Sequence, residues 1–368
     1  MAPLGAVNPR SHNEYTVGWV CALPKEQTAA AAMLDERHPD LPKPSNDANT
    51  YILGSIGQHN IVIACLPKGK MGANPASTVA TRMIGTFQSI KVGLMVGIGG
   101  GVPPKVRVGD IVVSTPTGQY PGVVQWDLGK AEKDGVFKRT GALNHPPTAL
   151  LTALSRLETH QEMHGITIPQ FMEELKENWP RLAEKYTWNE SRKDPLITKV
   201  HTKNTLTTKI HTKDSQGGIL SVLSVLLNAM LSAVGFLFGW PVNTPAKSYK
   251  PKTKAIVESK DKRKPGEPRV HYGLIASGNH AIKDAEYRDS LNETLGGNTL
   301  CFEMEAAGLM SDFPCIVIRG IYDYADSQAN EDWQEYAAAV AAAFAKEFLE
   351  HVQPGEVDKE RPVKEIMK

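Results

Sequence analysis

The most constraining stretch of this sequence is Cys315-Ile316-Val317-Ile318, an uncharged, largely β-branched run followed closely by Arg319, Asp323 and Asp326. A continuously apolar strand of this kind belongs in the middle of a sheet covered on both faces. Ligands of open α/β sheets collect outside the carboxyl ends of such strands. Upstream, Pro314 ends whatever precedes it, because proline cannot continue a helix. Before that proline, Glu303-Met304-Glu305 reads as an acidic helix start. Two acids beside a methionine, with a third beyond the next strand, form a site hypothesis in themselves.

The pattern recurs along the chain. Lys91 to Gly97 is a buried strand that runs into Ile98-Gly99-Gly100-Gly101. These glycines are not a dinucleotide loop. Their spacing is G-x-G-G-G, and Pro103-Pro104 follow at once, so no helix offers its N-terminus to a pyrophosphate there. A bare glycine run at a strand end instead lets backbone amides approach a ligand, or makes a tight strand-to-strand turn. Further strands are expected over 15–21, 50–56, 60–66, 106–114, 119–126 and 270–276, with a hairpin at Gly57. Helices are expected over 25–34, 73–87, 146–160, 169–185, 284–295 and 331–351. Glu26 then lies in a first helical turn, beside the positive end of the helix dipole. Alternating strands and helices, several strands wholly apolar, imply an α/β domain with a mixed central β-sheet flanked by helices.

Composition excludes several classes. With 41 Lys and Arg against 40 Asp and Glu, net charge is +1, and nothing electrostatic favours nucleic acid. Four cysteines without a CxxC pair, and no Cys/His cluster at zinc spacing, argue for buried free thiols in a reducing compartment and for no metal or cofactor. Residues 1–13 lack an apolar signal core and read as a disordered leader. A single domain is expected over 14–198 and 265–352, interrupted by an insertion over 199–264, with a charged tail at 353–368. Within the insertion, Gly217 to Trp240 is uncharged and mostly apolar. About 24 such residues would span a ~30 Å hydrocarbon core. Membrane contact, a buried hairpin, a partner-binding helix and a non-native segment are the four readings of it. The expected location is cytoplasmic, with membrane association as the variant that 217–240 would add.

Taken together, CALPKE (21–26), VGIGGGVPPKVRVGDIVVS (96–114), HYGLIASGN (271–279), CFEMEAAG (301–308) and VIRGIYDYAD (317–326) resemble the nucleoside phosphorylase superfamily, which includes methylthioadenosine/S-adenosylhomocysteine nucleosidases. Within it the chain is most similar to phosphorylase-type domains of filamentous-fungal proteins, although it contains no P-loop and no repeats. The resemblance covers about 14–160 and 268–352. It implies cleavage of the N-glycosidic bond of a purine nucleoside or nucleotide, without a cofactor, by a homo-oligomer. Asp323 would protonate the leaving base, and Glu305 with Met304 would hold the ribose. Arg319, Asp326 and Glu303 would support these acids. Phosphorylases of the family hold phosphate with an arginine and a hydroxyl where this chain has Met95 and Ile98, and no Lys or Arg occurs from Asp326 to Ala345. Glu26 falls on the position that activates water in the nucleosidases. Water is therefore favoured over phosphate as the nucleophile, although Lys68, Lys70 or Arg107 would still provide a phosphate site. A phosphate-dependent phosphorylase and a non-catalytic nucleoside-sensing module are the alternatives. For the base, the aromatic position of the family reads Ala281. Phe302, Tyr322 or His280 would supply stacking, and the backbone of Ala281 and Ile282 would meet the base edge.

Overall fold

The computed structural model describes residues 10–133, 137–195 and 266–367. The insertion at 199–264, with its apolar run 217–240, lies outside the described residues, as do residues 1–9 of the leader. The chain divides into two compact units, Met1–Arg192 with Arg263–Lys368, and Lys193–Lys262. Every element named here falls in the first.

In chain order the strands and helices are β1 (Val17–Cys21), α1 (Pro24–Ala32), β2 (Glu36–His38), β3 (Tyr51–Ile56), β4 (His59–Cys65), α2 (Ala73–Thr86), β5 (Val92–Gly101), β6 (Ile111–Ser114), β7 (Val123–Gln125), β8 (Gly129–Ala131), β9 (Phe137–Arg139), α3 (Thr148–His164), α4 (Ile168–Asn178) and α5 (Pro180–Tyr186). After the insertion come β10 (Val270–Ser277), α6 (Ala285–Thr294), β11 (Thr299–Glu303), β12 (Cys315–Asp323), α7 (Gln334–His351), α8 (Pro354–Lys359) and α9 (Val363–Ile366). The sheet runs β11-β10-β6-β12-β5-β1-β4-β3-β2, with β7 on β10. It is mixed as expected: β1, β4, β5 and β12 run parallel, while β6 is antiparallel to β12. Cys301 and Phe302 of β11 also pair antiparallel with Gly101 and Gly100 of β5, so five of the strands close into a ring.

β5 and β12 are the centre of the molecule. All ten residues of β5 are buried. Their neighbours are matched to its missing side chains: a Cβ on Gly93 would lie 2.1 Å from the Phe313 ring. On the other face α7 lies directly on β12. Its residues Tyr336 to Leu349 are all buried, which an alanine-rich helix tolerates because small side chains allow close approach. The closest approach is at Gly320.

Several boundaries differ from expectation. Thr299–Glu303 is a strand, not a helix start, and Cys301 belongs to it. The chain turns at Met304-Glu305 into one short 3-10 turn, Ala306–Gly308. The strand expected at 106–114 is only β6. Before it the chain turns at Gly109 (φ 86°), and the Asp110 carboxylate accepts from Arg107 N. The helix expected over 169–185 breaks at Trp179-Pro180, where proline removes a donor. The strand at 315–318 continues to Asp323, so the acid is on the strand itself. The tail does not fray: Val357 and Val363 are buried, and Val363 N donates to Ile90 O at 2.8 Å. Among the described residues no helix is long and apolar enough to cross a membrane.

A Cβ at Gly320 would stand 1.9 Å from the Ala337 carbonyl oxygen. Gly320→Ala must push α7 off β12. We expect a loss of about 1–3 kcal/mol, measured as a lowered urea midpoint with an unchanged slope.

Candidate active site

The last residues of β5 carry almost no side chain, and acids from two other elements, α1 and β12, occupy the space. A Cβ on Gly97 would lie 2.5 Å from both Glu26 Oε1 and Arg319 Nη1, and one on Gly100 would lie 2.7 Å from Asp323 Oδ1. Gly99, Gly100 and Gly101 are thus a paired strand rather than a loop, and two of the glycines, 97 and 100, make room for carboxylates.

Glu26 stands in the first turn of α1 and is 3% exposed. Its Oε2 accepts from Ala22 N (2.7 Å) and Leu23 N (2.9 Å), and its Oε1 accepts from Ile98 N (2.9 Å). The carboxylate therefore joins α1 to β5. Burial pushes its pKa up; Arg319 and the three amides oppose this without cancelling it.

Arg319, fully buried on β12, gathers the remaining glutamates. It donates through Nη2 to Glu303 Oε2, and the same nitrogen is 3.6 Å from Glu305 Oε2. Its Nη1 donates to Ile98 O at 3.3 Å. Glu303, at the end of β11, also accepts from the amides of Glu305 (3.1 Å) and Ala306 (3.0 Å), which fixes the turn. Glu305 Oε1 accepts from Gly72 N at 3.1 Å. Burial raises the Glu305 pKa to about 7. Glu303 and Glu26 push the same way, while Arg319 opposes.

Asp323, 5% exposed at the end of β12, lies outside this ion cluster. Its Oδ1 accepts from Ala325 N at 3.1 Å, and the Tyr322 hydroxyl donates to it. Burial again raises its pKa; Lys283 lowers it slightly. Asp326 does not hold the other acids in place. It accepts from Gln328 N in the turn beyond, and acts on Asp323 only as a like charge.

Beside Asp323 lies an apolar cluster of Phe302, Trp126, Val102, Ala276 and Ala325, with Ile282 partly buried against it. Phe302 is the register partner of Gly100. Trp126 covers Gly278, where a Cβ would be 2.4 Å from the indole. His280, in contrast, has a side chain 76% exposed, and Ala281 is exposed beside it. The sequence contained no local sign of Trp126 or of Gly72. Both act through contacts between distant segments. Asp127 is a further unforeseen member: its Oδ2 accepts from Asn279 N at 2.6 Å and so pins the 277–282 loop. A groove of about 680 Å³ lined by Ala31, Ile52, Trp179 and Leu182 shares none of these residues. Among the described residues no group of three His, Cys, Asp or Glu is arranged to hold a metal ion.

The phosphorylase superfamily matches residues 16–168 of the chain. The fold is that of the nucleoside phosphorylases. A futalosine hydrolase of Helicobacter pylori superposes with a TM-score of 0.52 at 15% identity, over 92% of this chain and 99% of its own. The 5'-methylthioadenosine/S-adenosylhomocysteine nucleosidase of Neisseria meningitidis, in complex with methylthio-immucillin-A, gives 0.51 at 15% identity, over 91% and 98%. In sequence, a nucleotide-binding leucine-rich repeat (NLR)-like protein of Hyaloscypha variabilis is 42% identical over 349 residues. A 5'-methylthioadenosine/S-adenosylhomocysteine nucleosidase of Mycobacterium bovis is 31% identical over 88 residues, 23% of this chain. The matches cover 93% of this chain but 30% of the fungal relative, and 34% of the mycobacterial one. The similarity to fungal proteins read from the motifs is thereby borne out.

Glu305 gives a stability test. Its folded pKa lies above the ordinary 4.5, so the folded state holds its proton more tightly. The stabilisation it contributes is present below about pH 4.5 and is lost as pH rises through about 7. Glu305→Gln should therefore flatten the fall in unfolding free energy between pH 5 and 8, measured by urea denaturation. Parallel curves for the two proteins would remove Glu305 as the source of that slope.

Proposed function

We propose that this chain cleaves the N-glycosidic bond of a purine nucleoside or nucleotide with water as the nucleophile. The observation that carries the reading is the placing of Glu26, Glu305 and Asp323. These are three buried acids of raised pKa, fixed around the glycine end of one central strand. Breaking the bond leaves positive charge on the ribose and negative charge on the departing base. Asp323, which burial helps to keep protonated, delivers its proton to the base. Its neighbours Phe302 and Trp126 supply apolar faces for that base. Glu305, held by Gly72 N and Arg319, accepts from the ribose hydroxyls, with Met304 beside it. Glu26 takes the proton of the attacking water, whose oxygen bonds to the anomeric carbon. An acid or base of this kind contributes on the order of 10²–10⁴-fold.

Water is favoured over phosphate because Arg319, the one cation among these residues, is already committed to carboxylates. Met95 and Ile98 are buried and carry no charge. Lys68 and Lys70 are exposed on the turn that ends at Gly72, and they are the groups a phosphorylase reading would use. The 42% identity to an NLR-like protein supports the other reading, a nucleoside-sensing module that does not turn its ligand over.

Adenosine, inosine, methylthioadenosine and ATP, each with and without phosphate, separate these readings. Free base together with free ribose, its 5'-substituted form or ribose triphosphate, released without phosphate, is the expected result. Base that appears only with phosphate, as a sugar 1-phosphate forms, would sink hydrolysis. No base from any of the four would favour the sensing module. Asp323→Asn and Glu305→Gln should each lower kcat by about 10²–10⁴-fold while circular dichroism stays that of the folded protein.

A further inference from the structure

A buried guanidinium, Arg288, also stands near the site. α6 follows the 277–282 loop, and its only fully buried residue is Arg288. The burial is not incidental to packing, because the guanidinium is bonded at both ends. Nη1 donates to Tyr324 O at 2.6 Å, and Nε donates to Asp289 Oδ1 at 2.8 Å, with Nη2 in ion-pair contact with the same oxygen at 2.8 Å. The carbonyl that Arg288 grips belongs to the peptide joining Tyr324 to Ala325. Ala325 has φ 47°, the only positive φ of a non-glycine residue among those described. Its amide is the one that donates to Asp323 Oδ1. An alanine in the left-handed region is disfavoured and persists only where its surroundings impose it. The Tyr324 ring, 1% exposed and accepting at its hydroxyl from Val108 N, anchors the same turn from the other side.

We propose that Arg288 is a positioning residue for Asp323: by holding Tyr324 O it keeps the 324–325 peptide rotated so that Ala325 N meets the Asp323 carboxyl. The role of Asp323 itself rests on the function proposed above; the clamp does not. α6 begins just beyond Ile282, so the same arginine ties the loop proposed to border the base to the turn that aims the acid.

The strain at Ala325 supplies the discriminating variant. Glycine adopts positive φ without penalty, so Ala325→Gly should make the turn less dependent on the arginine. Four full-length proteins are compared: wild type, R288M, A325G and R288M/A325G. R288K, which keeps the charge but not the fork, is used if R288M folds poorly. Amide hydrogen exchange across Tyr322–Gln328 and steady-state turnover of adenosine are measured on each. Losing a buried, charge-assisted hydrogen bond should speed exchange in that segment by about 10-fold or more. It should lower kcat by about 10- to 100-fold while KM stays within about two-fold. A325G should recover a large part of both losses in the R288M background. Unchanged exchange in R288M overturns the clamp whatever happens to turnover. Exchange that rises uniformly through the domain, unrescued by A325G, also overturns it, since that is global destabilisation. A wild type that never turns over its substrates, but whose R288M variant opens locally and is rescued, defeats the hydrolase reading and leaves the clamp standing.

Discussion

The structure depends on one guanidinium. Arg319 sits on the central strand β12 and faces Glu303, Glu305 and Glu26, which come from β11, the turn after it and α1. A lone buried cation would be ruinous, and so would three buried carboxylates. Together they hold segments distant in sequence at fixed separations. Removing one partner of such a cluster leaves charge uncompensated and typically costs about 3–5 kcal/mol. The excess of acid over base matters as much as the pairing. With fewer positive charges than carboxylates, the cluster holds a proton more tightly than the same acids would in water: the Glu305 pKa is raised to about 7, and burial raises that of Glu26 in the same direction. Tolerance of a proton in a dry site is the property that acid–base chemistry requires.

The ring made by β11 returning to β5 sets the geometry around this cluster. It brings Phe302 opposite Gly100 and places Glu303 over Arg319. Asp323, on the far side of Gly100, is kept apart from the arginine and is aimed by its own turn. Two electrostatic environments therefore lie on either side of one strand: an ion cluster, and an apolar cluster with a single acid at its edge. Arg288 belongs to the second of these, outside the ion cluster.

Much of this was legible in the chain. The wholly apolar runs at 92–98 and 315–318 marked the central strands, and the alanine run at 337–343 marked the helix that covers them. Glu26, Glu305, Arg319 and Asp323 were all singled out, and the structure brings them to one end of β5. The misreadings have physical causes. Glu303-Met304-Glu305 has the composition of a helix start, and helix propensity is easily overridden where the preceding residues pair with two strands at once. That pairing is long-range, so nothing local announces it. His280 was named as a stacking candidate because it adjoins Ala281, where the family has an aromatic; the fold leaves its side chain in solvent, and the ring that packs on Gly278 is Trp126, placed by the β7–β10 pairing. The strained Ala325 is an ordinary residue in sequence, and only its backbone angle makes it informative.

The glycines of β5 have a further consequence for how this chain can vary. At positions 97, 100 and 101 every single substitution adds atoms where a neighbour's side chain already stands. Each therefore damages packing, and at 97 and 100 it also displaces a charged side chain of the site. Asp323 lies outside the ion cluster, so exchange for its isosteric amide leaves the charges around Arg319 as they were. The slot that receives Glu26 and Asp323 has no such freedom, so a descendant that had exchanged Asp323 would still carry it.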